Sequence, residues 1–200
     1  MNVEDVLIEL MSGDDLIEGY QFCVFRPYVK NDVEDYPLVL LMPDSTFWVS
    51  RERAFKNFLN HLTCRHVIND ETSLGLTSLV RLVGGGKRHR PLIDFNCGKS
   101  SEDLMNLYED LKYLRCLDGY LLNSGRSYHF IGTNLFDDKE FIIFLNRMSE
   151  SRTIGDNWPR LQEEQGFAVL RLTACPKRGK PYVPTLVDRI EDTQLRFPGY

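Results

Sequence analysis

The chain lacks the features that most quickly fix a protein's class. Its five cysteines, Cys23, Cys64, Cys97, Cys116 and Cys175, are odd in number and form no C-x-x-C pair. That argues against a secreted disulfide framework and for a reducing compartment, so a cytoplasmic, soluble protein is expected. No apolar run approaches the ~18 residues of a membrane helix. Met1 to Leu10 carries Glu4, Asp5 and Glu9 where a signal peptide carries basic residues. No membrane partner is therefore expected. Cys64 and His66, with His61 nearby, lack the second ligand pair of a closed zinc site. Gly84 to Arg90 lacks the order of a Walker loop. Positive charge is not in excess either, because the net charge is −5. A protein held to nucleic acid by bulk charge is basic. Contacts of that kind must here come from local patches, and two exist: Lys87, Arg88, His89 and Arg90, and then Lys177, Arg178 and Lys180. Short basic runs of this sort also occur as plain solvated loops.

What is present is an ordinary globular composition, 42% hydrophobic and 26% charged over 200 residues, enough for a sizeable core without staples. Apolar residues at 3, 6, 7, 10 and 11 predict a first helix. Tyr20–Phe25 reads as a strand, and the wholly apolar Leu38–Met42 as a buried one. Ser50 is placed to cap a helix from Arg51 to about Cys64, with Phe55, Phe58, Leu59 and Leu62 inward. Strands follow at Leu76–Val83 and Pro91–Asn96. Ser100 or Ser101 caps a helix to about Leu117, ended by Gly119. Tyr120–Leu122 and Tyr128–Gly132 read as paired strands, Asp137 or Asp138 opens a helix through Met148, and Phe167–Leu172 is a strand. Helices mixed with an antiparallel hairpin predict an α+β fold, a central, mostly antiparallel sheet with flanking helices. Residues 1–185 are expected to form one domain, and 186–200 a loosely held tail.

Two short stretches carry chemistry. Asp94 and Asn96 are two apart on a strand, so they leave one face while Phe95 enters the core. Paired acids so placed hold divalent metal, because hard cations want clustered carboxylate oxygens. Asn96 offers only a neutral oxygen, and the same residues also suit the turn into the next helix. Ser127 and His129 likewise share a face, behind the turn Ser124-Gly125-Arg126. Hydroxyl, guanidinium and imidazole together suit a phosphate; a hairpin with a hydrogen-bonded histidine fits them too.

Taken in order, Leu92-Ile93-Asp94-Phe95-Asn96, an amphipathic helix and Ser124-Gly125-Arg126-Ser127-Tyr128-His129 resemble archaeo-eukaryotic primases and their primase-polymerase relatives. The likeness covers about a fifth of the chain, and Phe167–Leu172 with Lys177 extends it more loosely. It implies a primase-like core at about 76–185 with the elements of 1–75 packed on it. It implies that Asp94 and Asn96 bind magnesium or manganese, that Asp94 and His129 are the catalytic positions, and that Ser124, Arg126, Ser127, His129, Arg171 and Lys177 contact nucleotide phosphate. The chain departs from the pattern at Asn96, which replaces the second acid, and at Arg171, which stands on the strand expected to bear the third; Asp156 and Asp188 are the nearest alternatives. The expected function is binding of nucleotide or nucleic-acid phosphate, in replication or repair, weakly and with strong salt dependence, in a divergent or degenerate member whose nucleotidyl transfer is open. A non-enzymatic protein-interaction domain with a vestigial cleft is the alternative, and a hydrolase using one metal on Asp94 and His129 a third reading.

Overall fold

The computed structural model describes residues 1–27, 41–53, 55–66, 68–155 and 157–191, with backbone alone for 41–44. In chain order the elements are α1 (Val3–Gly13), β1 (Ile17–Phe25), β2 (Leu41–Ser50), α2 (Phe58–Arg65), β3 (Ser73–Leu82), β4 (Lys87–His89), β5 (Leu92–Asp94), α3 (Ser101–Tyr113), β6 (Gly119–Asn123), β7 (Tyr128–Gly132), α4 (Asp138–Met148), α5 (Asn157–Gln165), β8 (Val169–Arg171) and β9 (Thr185–Ile190). The class is α+β, as expected, and the strand pairs are antiparallel. The strands divide into two sheets in place of one. The first has the order β2-β1-β3-β4, with β8 also paired to β3; the second has the order β5-β7-β6-β9. β1 occupies one edge of β3, so β4 and β8 share the other, against Leu79–Arg81 and Gly75–Thr77 respectively.

Local sequence explains the helices. α1, α3 and α4 each begin with a reciprocal capping box, Asn2 with Asp5, Ser100 with Asp103 and Asp137 with Glu140. Each box satisfies two of the amide donors that a helix start leaves without partners. Leu107 and Leu111 of α3 and Phe141, Phe144, Leu145 and Met148 of α4 are buried. They join Val3, Leu7, Tyr20, Phe22, Leu92, Phe130 and Leu170 in one apolar cluster drawn from both sheets. No helix of the described residues is long and apolar enough to cross a membrane.

The chain passes from the first sheet to the second at Arg90, and that passage corrects one expectation. Arg90 is fully buried. Its Nη1 donates to the carbonyls of Gly132 at 2.8 Å and Thr133 at 3.0 Å, and its Nη2 lies 3.3 Å from Asp14. His89 is buried too, stacked on Phe141 with centroids 3.9 Å apart. Half of the expected Lys87–Arg90 patch is therefore internal, and only Lys87 and Arg88 reach solvent.

Other boundaries also differ. Ser50 ends β2 rather than capping a helix; a short turn at Arg51–Arg53 follows, and α2 begins only at Phe58. Asn57 adopts a left-handed φ of 69° there, which breaks the helix an uninterrupted pattern suggested. Phe55 is accordingly 49% exposed rather than internal. Of the strand expected at Leu38–Met42, residues 38–40 lie outside those described. α3 stops at Tyr113, before a left-handed Arg115 (φ 58°), and Gly119 opens β6 instead of ending the helix. The segment after 186, expected to be loosely held, pairs with β6 as β9 through Ile190.

Candidate functional site

Pro91 precedes β5, and Leu92 and Ile93 anchor it, both fully buried. A strand so held delivers Asp94 to a fixed place. In the antiparallel register Asp94 lies directly opposite His129 of β7, so both side chains leave the same face. The Asp94 carboxylate is 42% exposed, and His129 Nε2 lies behind it at 3.4 Å, only 5% exposed. The other ring nitrogen, Nδ1, is buried without a partner. Such a nitrogen costs about 1–3 kcal/mol. The shared face is not open along its length, since Leu92, Leu122 and Ile131 on it are buried. The site opens only where Asp94 meets solvent.

The β6–β7 turn stands beside that opening. Asn123 Oδ1 accepts the amide of Gly125 at 2.9 Å, and Ser124 N–H donates to the carbonyl of Ser127 at 3.0 Å. Gly125 has a φ of 111°, which a side chain rarely tolerates. The Ser127 hydroxyl accepts the Cys97 amide at 3.1 Å and also meets the Cys97 thiol at 3.7 Å. Arg126 is exposed.

Two cations brace this turn. Arg171 Nη2 donates to the Ser124 carbonyl at 2.8 Å, while its Nη1 donates to Thr173 O at 2.7 Å and Tyr182 O at 2.6 Å. Three of the five guanidinium N–H groups are so engaged, and the residue is buried. Burial pushes its pKa down, and the Asp94 carboxylate partly offsets this; a guanidinium keeps its charge regardless. The second cation is Lys99, whose Nζ donates to Asn123 Oδ1 at 2.8 Å. Sequence reasoning missed Lys99. The one available signal was its place just before the Ser100 cap of α3, at the positive end of a helix that leads away from Asp94.

The remaining candidates separate. Asn96 follows the strand rather than belonging to it; its amide donates to Thr153 O at 2.7 Å and its side chain is exposed. Asp188 lies opposite Leu121, which in turn lies opposite Phe130, so it belongs to the other face of the sheet. There it accepts the Tyr108 hydroxyl of α3 at 2.8 Å. Asp156 is outside the described residues. Lys177 sits on the turn Pro176–Arg178 with its backbone amide bonded to Asp70 O at 3.2 Å, and its side chain is exposed. Arg171 and Lys99 thus bond to the β6–β7 turn and Arg126 lies on it, whereas the turn bearing Lys177 is tied to Asp70, ahead of β3. Among the described residues no group of three His, Cys, Asp or Glu side chains gathers that could hold a metal ion.

Residues 55–185 match the model of a protein family described as AEP-like, archaeo-eukaryotic primase 1D-like. No curated protein and no solved structure matches the chain.

Proposed function

The chain belongs to the AEP-like, archaeo-eukaryotic primase 1D-like family, and from that premise we propose that it binds the phosphates of a nucleotide or nucleic acid at the Asp94 site and does not by itself carry efficient nucleotidyl transfer. The observation that carries this reading is the balance of charge. One carboxylate, Asp94, faces a turn braced by Arg171 and Lys99 and bearing Arg126. Cations and N–H donors around one point suit an anion.

The same balance bears on magnesium or manganese. A two-metal mechanism holds two cations ~3.5–4 Å apart on shared carboxylates. The second expected acid is Asn96, and Asp188 is on the far face. This donor set does not fit a pair of ions. Asp94 alone would offer a carboxylate to one ion, and that ion would screen the phosphate charge. His129, with Nε2 at 3.4 Å, serves best as a positioning residue for Asp94.

The test is the melting temperature with and without a nucleoside triphosphate and magnesium. A rise in the parent, reduced at least threefold in Lys99→Ala with Arg126→Ala, is expected. Both side chains are on the surface, so the fold should survive the change. An identical rise in the double variant, or none in the parent, would count against the proposal.

A further inference from the structure

Three aromatic side chains among the described residues are exposed: Phe55, Tyr113 and Tyr182. Two of them have a local use. Phe55 meets His61 edge-on at 5.8 Å between centroids, and the Tyr113 hydroxyl donates to Glu150. Tyr182 is 65% exposed, and its side chain makes no hydrogen bond or ring contact among the described residues. A single exposed ring means little by itself, so its surroundings decide.

The surroundings are the candidate site. The Tyr182 ring lies against Gly125 of the β6–β7 turn, where a Cβ would come within 3.2 Å of it. One guanidinium fixes both segments, because Arg171 donates to Tyr182 O at 2.6 Å and to Ser124 O at 2.8 Å. Asn123 Oδ1 then joins the Gly125 amide, at 2.9 Å, to the Lys99 ammonium, at 2.8 Å. One peptide unit and one amide side chain thus separate the ring from that ammonium. Arg126 is the next residue along the turn, and exposed. The backbone under Tyr182 is held while its ring meets solvent.

An anion without a ring would use Lys99 and Arg126 and leave Tyr182 idle. An apolar side chain of a protein would use the ring and leave the cations idle. A nucleotide uses both, since every base has a π-face for an aromatic side chain and the phosphates meet the cations. We propose that Tyr182 is the specificity-determining residue of the Asp94 site, its ring stacking on the base of a nucleoside triphosphate, so that the site takes nucleotides in preference to plain polyphosphates. This rests on the phosphate-site reading above and adds to it the preference for a base.

Inorganic tripolyphosphate has the same triphosphate chain with extra negative charge, so cations alone would favour it over ATP. Calorimetric titration of the full chain with each, at equal magnesium, should show ATP binding more tightly. Tyr182→Ala should weaken ATP by about fivefold or more, the low end of base–aromatic stacking, and leave tripolyphosphate unchanged. Tyr182→Phe and Tyr182→Trp keep a ring and should keep most of the ATP affinity. All three variants retain the backbone carbonyl that Arg171 holds, and the ring they change is on the surface. Unchanged ATP affinity in Tyr182→Ala, or a loss in Tyr182→Phe as large as in Tyr182→Ala, would overturn the proposal. So would an equal loss of both ligands in Tyr182→Ala, which is what a merely structural role at the turn predicts. If the parent binds tripolyphosphate at least as tightly as ATP, the stacking role fails and the phosphate site stands. If neither ligand binds the parent, the phosphate-site reading fails and the role of Tyr182 fails with it.

Discussion

Arg171 couples two roles that a substitution can separate. Its charge faces the Asp94 site, and its N–H groups hold the carbonyls of Ser124, Thr173 and Tyr182. Arg171→Met keeps some of the stem and removes the donors. Leaving buried acceptors without partners costs about 1–3 kcal/mol, so a loss of at least about 2 kcal/mol is expected from the urea midpoint, together with loss of the triphosphate-dependent melting shift. Arg171→Lys should restore charge without the fork that spans three carbonyls, recovering part of the ligand response and little of the stability. A stable variant that still responds to triphosphate would contradict both roles.

His89 gives a prediction in pH. Its Nδ1 lies 3.0 Å from the Ser78 hydroxyl, and its Nε2 lies 3.3 Å from Asp138. The serine, histidine and aspartate order resembles a hydrolytic triad, but Ser78 is fully buried and its oxygen already accepts the Ala168 amide at 3.0 Å. No substrate can reach it, so the trio is a structural tie between β3, β4 and the start of α4. Burial pushes the His89 pKa below 6.5, and Asp138 offsets this only in part. Between the folded and unfolded values the unfolded chain binds the extra proton, so stability rises with pH. The contribution of His89 is complete above the unfolded value and is lost as pH falls from about 6.5 through the lower folded one. Melting temperatures at pH 7.5 and 5.5 should therefore diverge less in His89→Gln than in the parent. An equal or steeper pH dependence in the variant would rule His89 out as the titrating group. His66 contributes in the same direction, since burial lowers its pKa too.

At the scale of elements, α3 carries the link between the two motif strands. Leu107 is fully buried on it. Leu107→Ala should cost about 2–5 kcal/mol, the span seen for buried leucines, and Ser100→Ala about 1 kcal/mol through loss of the cap. Equilibrium denaturation of each, with an unchanged slope, checks both figures; a negligible effect at Leu107 would mean a different helix face is internal. These elements were legible because their signals are local. The apolar spacing of α1, α3 and α4 and the side chains of Asn2, Ser100 and Asp137 announce helix starts within four residues of sequence. Parity was legible within each motif strand, but that Asp94 lies opposite His129 comes from the pairing of β5 with β7, which no local pattern encodes. α5 and β9 were not legible. α5 buries only Pro159, Leu161 and Gln162, too few for a periodic stripe. β9 fully buries just Ile190 and relies on pairing with β6, a contact about 70 residues away in sequence that no local pattern encodes. Arg90 and Lys99 were misread or missed for the same reason. A charged residue's sequence neighbours do not tell whether distant carbonyls will receive it.

The whole molecule is acidic, at −5, yet Lys99 and Arg171 meet at the β6–β7 turn, and Arg81 and Lys87 lie over the Trp48 ring. Any attraction for phosphate is thus local, and any affinity for nucleic acid should fall steeply with salt. The same uneven distribution governs catalysis. Transfer of a nucleotide needs positive charge held against the developing charge on the phosphate, and two cations held by several carboxylates supply it. Here one end of β5 gives Asp94, the second position beyond it gives Asn96, and β8 gives a guanidinium. The remaining described candidate, Asp188, is turned to α3 by Tyr108. A primer-extension and primer-synthesis assay with magnesium or manganese should therefore show no efficient synthesis by the parent. Asn96→Asp should not restore it, because Asn96 lies outside the strand, its backbone tied to Thr153, and Arg171 would still repel a second cation. Robust synthesis by the parent, abolished in Asp94→Ala, would overturn this. It would mean that another carboxylate joins Asp94 in the working enzyme, and adding Asp156→Ala to the series would show whether this chain provides it.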